Sequence, residues 1–279
     1  MEGLTPTPVA RFAKTRLAPT PSGYLHAGNV LSFLLTERLA RQTGARILLR
    51  IDDGDTARVR PAYVQHIFDT LAAINVHCDE GPRDAADLDA RWSQRHRAHL
   101  YSRYLDALRA GNHVYACTCS RADVLRESAD GTYSGRCRHR DLPLDTVGAS
   151  WRLNTDTDLV LEVRQLDGTV SVERLPVDMH DVVVRKKDGM PSYQLSSIAD
   201  DVYFGVDLVV RGQDLWPSTL VQLYIARLLS LDAFAAATFV HHPLLKDDDG
   251  AKLSKSTGAA PVDLRTAGRE ALMRLLNPV

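Results

Sequence analysis

Pro21, Ser22, Gly23, Leu25, His26, Gly28 and Asn29 form a run of small and polar residues directly ahead of an apolar stretch with helical periodicity. Backbone can approach a ligand closely at Gly23 and Gly28, and the helix N-terminus beyond Asn29 offers N–H groups and partial positive charge to a phosphate. An imidazole N–H at His26 suits phosphate oxygens in a phosphoryl or nucleotidyl transfer, a role of positioning and charge stabilisation rather than covalent catalysis. Near the other end, Lys252 and Lys255 lie in a glycine-flanked stretch after Asp247, Asp248 and Asp249. Two such lysines can close over a triphosphate and neutralise the charge that develops as pyrophosphate leaves. Taken singly, the first motif is also a plain turn and the second a solvated loop. Together, on either side of a long α/β core, they point to a nucleotide site.

A second constellation is Cys117, Thr118 and Cys119, followed by Tyr133 and Cys137. Three thiolates hold Zn²⁺ when one oxygen or nitrogen donor completes a tetrahedron, and by spacing both Tyr133 and His139 fit as the fourth ligand. No His and Glu accompany the cysteines in a catalytic pattern, so the metal reads as structural rather than as the centre of a hydrolase. Four cysteines in a chain of 279 residues do not make a disulfide scaffold, and a reducing cytoplasm fits them. Cys78 stands apart and reads as a small buried residue.

The elements that must carry these groups follow from periodicity. From Arg16 a short strand leads through the histidine-glycine turn into VLSFLLTERLARQTG, a helix closed by Gly44, and then into the apolar strand ARILLRIDD: a βαβ opening. Leu31, Leu34, Leu35 and Leu39 share a face that can cover a parallel sheet, with Arg38 and Arg41 pointing outward. Further helices are expected from Pro61, over RAHLYSRYLDALRAG, and from Pro217 to Leu229; WRLNTD, LVLEVRQ, TVSVERL and VDLVVRG read as strands. The segment from Tyr115 to about Leu144 lacks a sustained apolar period and reads as an excursion from the sheet.

Composition is that of an ordinary globular protein, with 44% hydrophobic and 25% charged residues. The formal net charge of -1 gives no global basic signature, so contact with nucleic acid has to come from a local patch, and 6% aromatics argues against an aromatic stacking platform. No apolar run approaches the roughly 20 residues of a membrane span. The N-terminal stretch before Thr15 reads as a disordered leader.

PSGYLHAGN and KLSKS resemble the two signature motifs of class I aminoacyl-tRNA synthetases, and TRLAPTPSG, RIDDGDTAR, PSYQLSSIADD and VVRGQDL resemble the glutamyl branch, in order, over about residues 15 to 258. The resemblance implies an α/β, Rossmann-like catalytic domain that condenses an amino acid with ATP, accompanied by Mg²⁺, to an aminoacyl-adenylate and then transfers the acyl group to RNA. Carried over by position, Arg16, Leu17, Ala18, Pro19, Thr20 and Ser22 line the amino-acid and adenylate site, and Asp52, Tyr193 and Arg211 complete a glutamate pocket. His26, Gly28, Asn29, Lys252 and Lys255 fall to ATP, with His26 and Lys255 as the catalytic pair. The chemistry agrees, because guanidinium groups bind a dicarboxylate bidentately.

The CxC, Tyr, Cys arrangement is similar to the zinc site of the glutamyl-queuosine tRNA(Asp) synthetases, in which tyrosine is the fourth ligand. These are truncated paralogues without an anticodon-binding region, and the short sequence after Ser256 implies the same here. The implied organisation is a leader over 1–14, catalytic halves over 15–110 and 151–258, an inserted zinc-binding subdomain over 111–150 and a helical tail over 259–279. The implied partners are glutamate, ATP and queuosine-bearing tRNA(Asp), for a cytoplasmic monomer that touches no membrane. Asp52 stands where that family has Glu and Gln213 departs after the Arg-Gly pair, which bears on the substrate rather than the reaction type. The alternatives are a paralogue loading another RNA or a carrier protein, and a catalytically silent tRNA-binding module. Lys255→Ala should cut ATP-pyrophosphate exchange by at least about tenfold while the protein stays folded; undiminished exchange would remove Lys255 from the chemistry.

Overall fold

The computed structural model describes residues 10–244. The first nine residues of the expected leader, the KLSKS segment with Lys252 and Lys255, and the expected C-terminal helix lie outside the described residues. The elements run β1 (Lys14–Leu17), α1 (Ala27–Thr43), β2 (Arg46–Leu49), α2 (Pro61–Ala73), α3 (Ala85–Asp87), α4 (Ala98–Ala110), β3 (Val114–Cys117), α5 (Arg121–Glu127) and β4 (Ser150–Leu153). There follow β5 (Leu161–Gln165), β6 (Val170–Glu173), β7 (Val183–Arg185), α6 (Tyr193–Phe204), β8 (Leu208–Gly212), α7 (Trp216–Leu228), α8 (Asp232–Ala235) and β9 (Thr238–His242). The chain divides into two compact units, the first holding residues 10–94, 206–213 and 239–244 of those described, the second holding 95–205 and 214–238.

In the first unit the strands lie in the order β2-β1-β8-β9. β1 pairs in parallel with β2, Arg16 facing Leu48 and Leu17 facing Leu49, and in parallel with β8, Thr15 facing Leu208. Thr15, Arg16 and Leu17 are all buried, as are Leu208, Val209 and Val210, the near-continuous burial of a parallel sheet covered on both faces. Asp207 fixes the start of β1: its two oxygens accept from the N–H groups of Ala13 (2.8 Å) and Lys14 (2.9 Å). The core gathers Leu17, Phe33, Leu34, Leu49, Ile51, Ile67 and Ile74 from the strands, α1 and α2.

α1 begins one turn earlier than its motif suggested, with His26 as N-cap, so that Gly28 and Asn29 are helical rather than part of the preceding loop. It ends at Gly44, whose φ of 78° is the left-handed C-cap conformation. Arg41 reaches solvent and pairs with Glu37, whereas Arg38 is half-buried, and Thr36 and Glu37 are buried with the leucines. The single outward face expected for Arg38 and Arg41 is thus narrower, because burial on α1 extends beyond the leucines to Thr36 and Glu37.

The second unit has an antiparallel sheet β3-β4-β7 and the hairpin β5-β6. The cysteine-bearing segment therefore starts within a strand, since Cys117 is the last residue of β3. It also contains α5, which Ser120 and Asp123 close with a capping box. α6 escaped the periodicity reading because its buried side includes Ser196, Ser197, Asp200 and Asp201. Asp200, fully buried, takes Arg97 bidentately (Nε 2.6 Å, Nη2 3.1 Å) and the Tyr101 hydroxyl (2.8 Å), which ties α4 to α6. Breaking such a pair costs about 3–5 kcal/mol because a buried charge loses its partner. Among the described residues no helix is long and apolar enough to cross a membrane.

Two glycines separate backbone conformation from space. Gly44 has φ 78° with nothing within 4 Å of an added Cβ, whereas at Gly81 (φ 112°) a Cβ would lie 2.3 Å from the Leu49 carbonyl oxygen. In urea unfolding, Gly44→Ala should lose about 1–2 kcal/mol and Gly81→Ala clearly more; equal losses would mean that β2 gives way freely beside Gly81.

Candidate active site and metal centre

The β1–β2 pairing continues past the strand ends: the Arg50 N–H donates to the Leu17 carbonyl (2.8 Å) and the Asp52 N–H to the Pro19 carbonyl (3.0 Å). Residues 17–20 and 50–52 thus lie side by side at the carboxyl end of a parallel sheet, where α/β proteins hold their ligands. Arg16 and Arg211 are both buried there; Arg16 Nη1 donates to the Val210 carbonyl (3.1 Å), and the Arg211 guanidinium lies 5.6 Å from the centre of the Phe239 ring. Two fixed guanidinium groups on neighbouring strands suit carboxylate or phosphate oxygens.

Leu17 and Pro19 are buried, while Ala18, Thr20 and Ser22 are half-buried, with the Ser22 N–H donating to the Thr20 carbonyl (2.9 Å). Both oxygens of Asp52 are held by Arg50, through Nε at 2.7 Å and Nη2 at 3.0 Å, in a buried pair. Residues two apart on extended chain share a face, which is the signal that would have linked Arg50 to Asp52.

His26 is positioned by the cap itself. The Gly28 N–H donates to His26 Nδ1 (3.2 Å) while the His26 N–H donates to Asn29 Oδ1 (3.1 Å), a reciprocal capping box. Nδ1 has to present a lone pair to accept this bond, so the neutral ring carries its hydrogen on Nε2. The cap therefore selects the tautomer that offers Nε2–H as a donor, and Asn29 serves the cap. His241, which the motif reading passed over, sits at the end of β9. Burial, with the charges of Arg211, His242 and Arg16, pulls its ring down to about 4, so it is neutral at pH 7. Its signal was a histidine pair at the end of an apolar strand just before the lysine motif.

Tyr193 is the first residue of α6 in the second unit and is exposed. In the same unit the sulfur atoms of Cys117, Cys119 and Cys137 all lie within 4.8 Å of one another, with 3.6 Å between Cys119 and Cys137. Ligands 2.3 Å from a tetrahedral zinc ion stand about 3.8 Å apart, so these spacings fit one ion. Tyr133 Oη is buried 3.3 Å from Cys117 Sγ and accepts the Cys137 N–H (2.9 Å), whereas His139 is exposed and outside the cluster. The donor set is thus three thiols and one phenol. Burial opposes ionisation of Cys137, but the Tyr133 hydroxyl, Cys119 and the Thr118 N–H outweigh it and draw the thiol down to about 6.

The sequence matches the family of tRNA synthetases class I (E and Q), catalytic domain, over residues 13–276. It is 36% identical over 269 residues to a glutamyl-Q tRNA(Asp) synthetase of Neisseria meningitidis serogroup C, covering 93% of this chain and 85% of that protein. It is 35% identical over 272 residues to glutamate–tRNA ligase 2 of Acidithiobacillus ferrooxidans, covering 91% of this chain but 55% of the ligase. The glutamate–tRNA synthetase of Elizabethkingia anophelis superposes with a TM-score of 0.72 at 26% identity, over 88% of this chain and 53% of that one. The chain thus spans about half the length of the two glutamate–tRNA ligases.

At Gly28 an added Cβ would stand 3.0 Å from His26 Cε1 and 3.1 Å from Nδ1. Gly28→Ala should leave thermal stability undiminished, since alanine favours a helix by up to about 1 kcal/mol. It should also push the ring aside and lower pyrophosphate exchange about tenfold or more. Full exchange in the variant would show that the ring's position is immaterial.

Proposed function

The chain belongs to the class I tRNA synthetases of the E and Q branch, with a Rossmann-like mixed α/β catalytic domain, and from that premise we propose that it activates glutamate and transfers it to the queuosine base of tRNA(Asp). A carboxylate oxygen of glutamate attacks the α-phosphorus of ATP, pyrophosphate leaves with Mg²⁺, and a mixed anhydride results. A hydroxyl of the queuosine ring then attacks the acyl carbon and AMP departs. The observation that carries this reading is the buried pair Arg16 and Arg211 on neighbouring strands, within a unit whose first helix is capped by His26.

In this proposal Arg16 and Arg211 bind the carboxylates of glutamate, and Asp52, paired with Arg50, orients the ammonium. Leu17, Ala18, Pro19, Thr20 and Ser22 line the adenylate, and the Tyr193 hydroxyl orients a carboxylate. His26 Nε2–H and the N-terminus of α1, with Gly28 and Asn29, meet the phosphates. Lys252 and Lys255 neutralise the departing pyrophosphate. Residues 111–150 form the inserted zinc-binding stretch, with Cys117, Cys119, Cys137 and Tyr133 as ligands, and the metal shapes this stretch rather than entering the reaction. Four free cysteines support a reducing, cytoplasmic setting.

The test is ATP-pyrophosphate exchange with each amino acid, followed by transfer of labelled glutamate to tRNA(Asp) with and without queuosine and to tRNA(Glu). Glutamate alone should drive exchange, and label should appear only on queuosine-bearing tRNA(Asp). Exchange with another amino acid would overturn the pocket assignment. Transfer to the 3′ end of tRNA(Glu) would overturn the acceptor.

A further inference from the structure

Arg152, on β4, stands against Tyr133. Its guanidinium carbon lies 3.6 Å from the centre of the phenol ring, on its face. Nη1 donates to the Asp181 carbonyl oxygen (2.8 Å), which aims the planar group, while Nε is buried and has no hydrogen-bond acceptor among the described residues. The Asp181 carboxylate does not supply the missing anion. It is taken by Arg138, by the Tyr115 hydroxyl (2.9 Å) and by the Thr155 N–H (3.2 Å). Among the described residues Arg152 makes no ion pair within 4.0 Å. Withholding an acceptor from a buried donor is unfavourable. The ring face offsets part of that, since a cation is attracted to an aromatic face.

The remaining counter-charge is what the cysteine cluster acquires on loading. Three thiolates around one divalent ion leave negative charge in excess, and an anionic oxygen donor adds to it. Other cations lie nearby: Lys187 donates to the Thr118 carbonyl (2.8 Å), and Arg140 Nη1 is 3.9 Å from Cys137 Sγ. Both are exposed, on long side chains that lose freedom when held. Arg152 alone among them is stacked on a ligand and anchored to backbone.

We propose that Arg152 is a positioning residue of the metal centre: stacked on Tyr133, it keeps the phenol oxygen on the three sulfur atoms and offsets the negative charge of the loaded cluster. The proposal rests on the zinc reading given above. It explains why a guanidinium is kept beside an aromatic face without a carboxylate partner, and it makes Tyr133 a held ligand rather than a swinging one. Partners that orient metal ligands are typically worth about 10- to 100-fold in metal affinity.

The experiment uses the full chain as wild type, Arg152→Met, Arg152→Gln, Tyr133→Phe and the double variant Tyr133→Phe with Arg152→Met. Zinc stoichiometry and affinity are measured by chelator competition, and the donor set is read from the absorption spectrum after cobalt(II) substitution. Wild type should hold one zinc with a spectrum of three thiolates and an oxygen donor. Arg152→Met should weaken zinc by about 10- to 100-fold and alter the cobalt spectrum, with pyrophosphate exchange at saturating zinc unchanged. Arg152→Gln, which keeps an N–H for the Asp181 carbonyl, should lose a similar factor, and it decides the matter if the Met variant does not fold. In the Tyr133→Phe background the Arg152 change should cost little more than Tyr133→Phe alone. Zinc affinity within about twofold of wild type in either Arg152 variant overturns the proposal. So does an equal loss in the Tyr133→Phe background, which would mean strand packing alone. A wild type that binds no zinc overturns the metal reading and this inference together, while leaving glutamate activation to be judged by exchange.

Discussion

Parallel pairing of β1 with both β2 and β8 is the constraint on which the first unit depends. Parallel strands point their carboxyl ends the same way, so residues far apart in sequence leave the sheet at one edge. The pairing runs on beyond the strands, from Leu17 to Arg50 and from Pro19 to Asp52, and the Arg16 side chain reaches the backbone of β8 at Val210. A slip of one residue in this register would turn Arg16 and Arg211 to the opposite faces of their strands. The Asp207 clamp on the start of β1 guards against it.

The α1 cap starts the helix and orients the His26 ring with the same atoms. A serine or aspartate would satisfy the Gly28 N–H as well, and is the commoner choice at such a position. Histidine there commits Nδ1 to the helix and leaves a ring whose hydrogen is on the far nitrogen. The absence of a Cβ at Gly28 gives the ring its room.

The second unit relies on buried polar hubs. Asp200 collects Arg97 and Tyr101, and Asp181 collects Arg138, Tyr115 and Thr155, each joining elements distant in sequence. Fully satisfied networks of this kind specify one arrangement, because any other leaves a buried charge unpaired. Asp181 also anchors Arg152 by its carbonyl, so one residue supports both the β4–β7 sheet and the cluster containing Tyr133.

Much of this was readable in the residues themselves. Leucine periodicity, Gly44 and the apolar ARILL run defined the βαβ opening, because burial of one face and a left-handed cap are local demands. CxC followed by Tyr and Cys marked a candidate metal-ligand set by donor chemistry alone, and the glycine-histidine turn marked a helix N-terminus. Tertiary structure decided what pairs across the fold: that Arg50 balances Asp52, that Tyr133 rather than His139 joins the thiols, and that α6 buries aspartate against arginine. Such partners depend on distances between segments far apart in the chain. Sequence pattern encodes which side of an element is apolar, whereas only the packed structure determines which charge meets which.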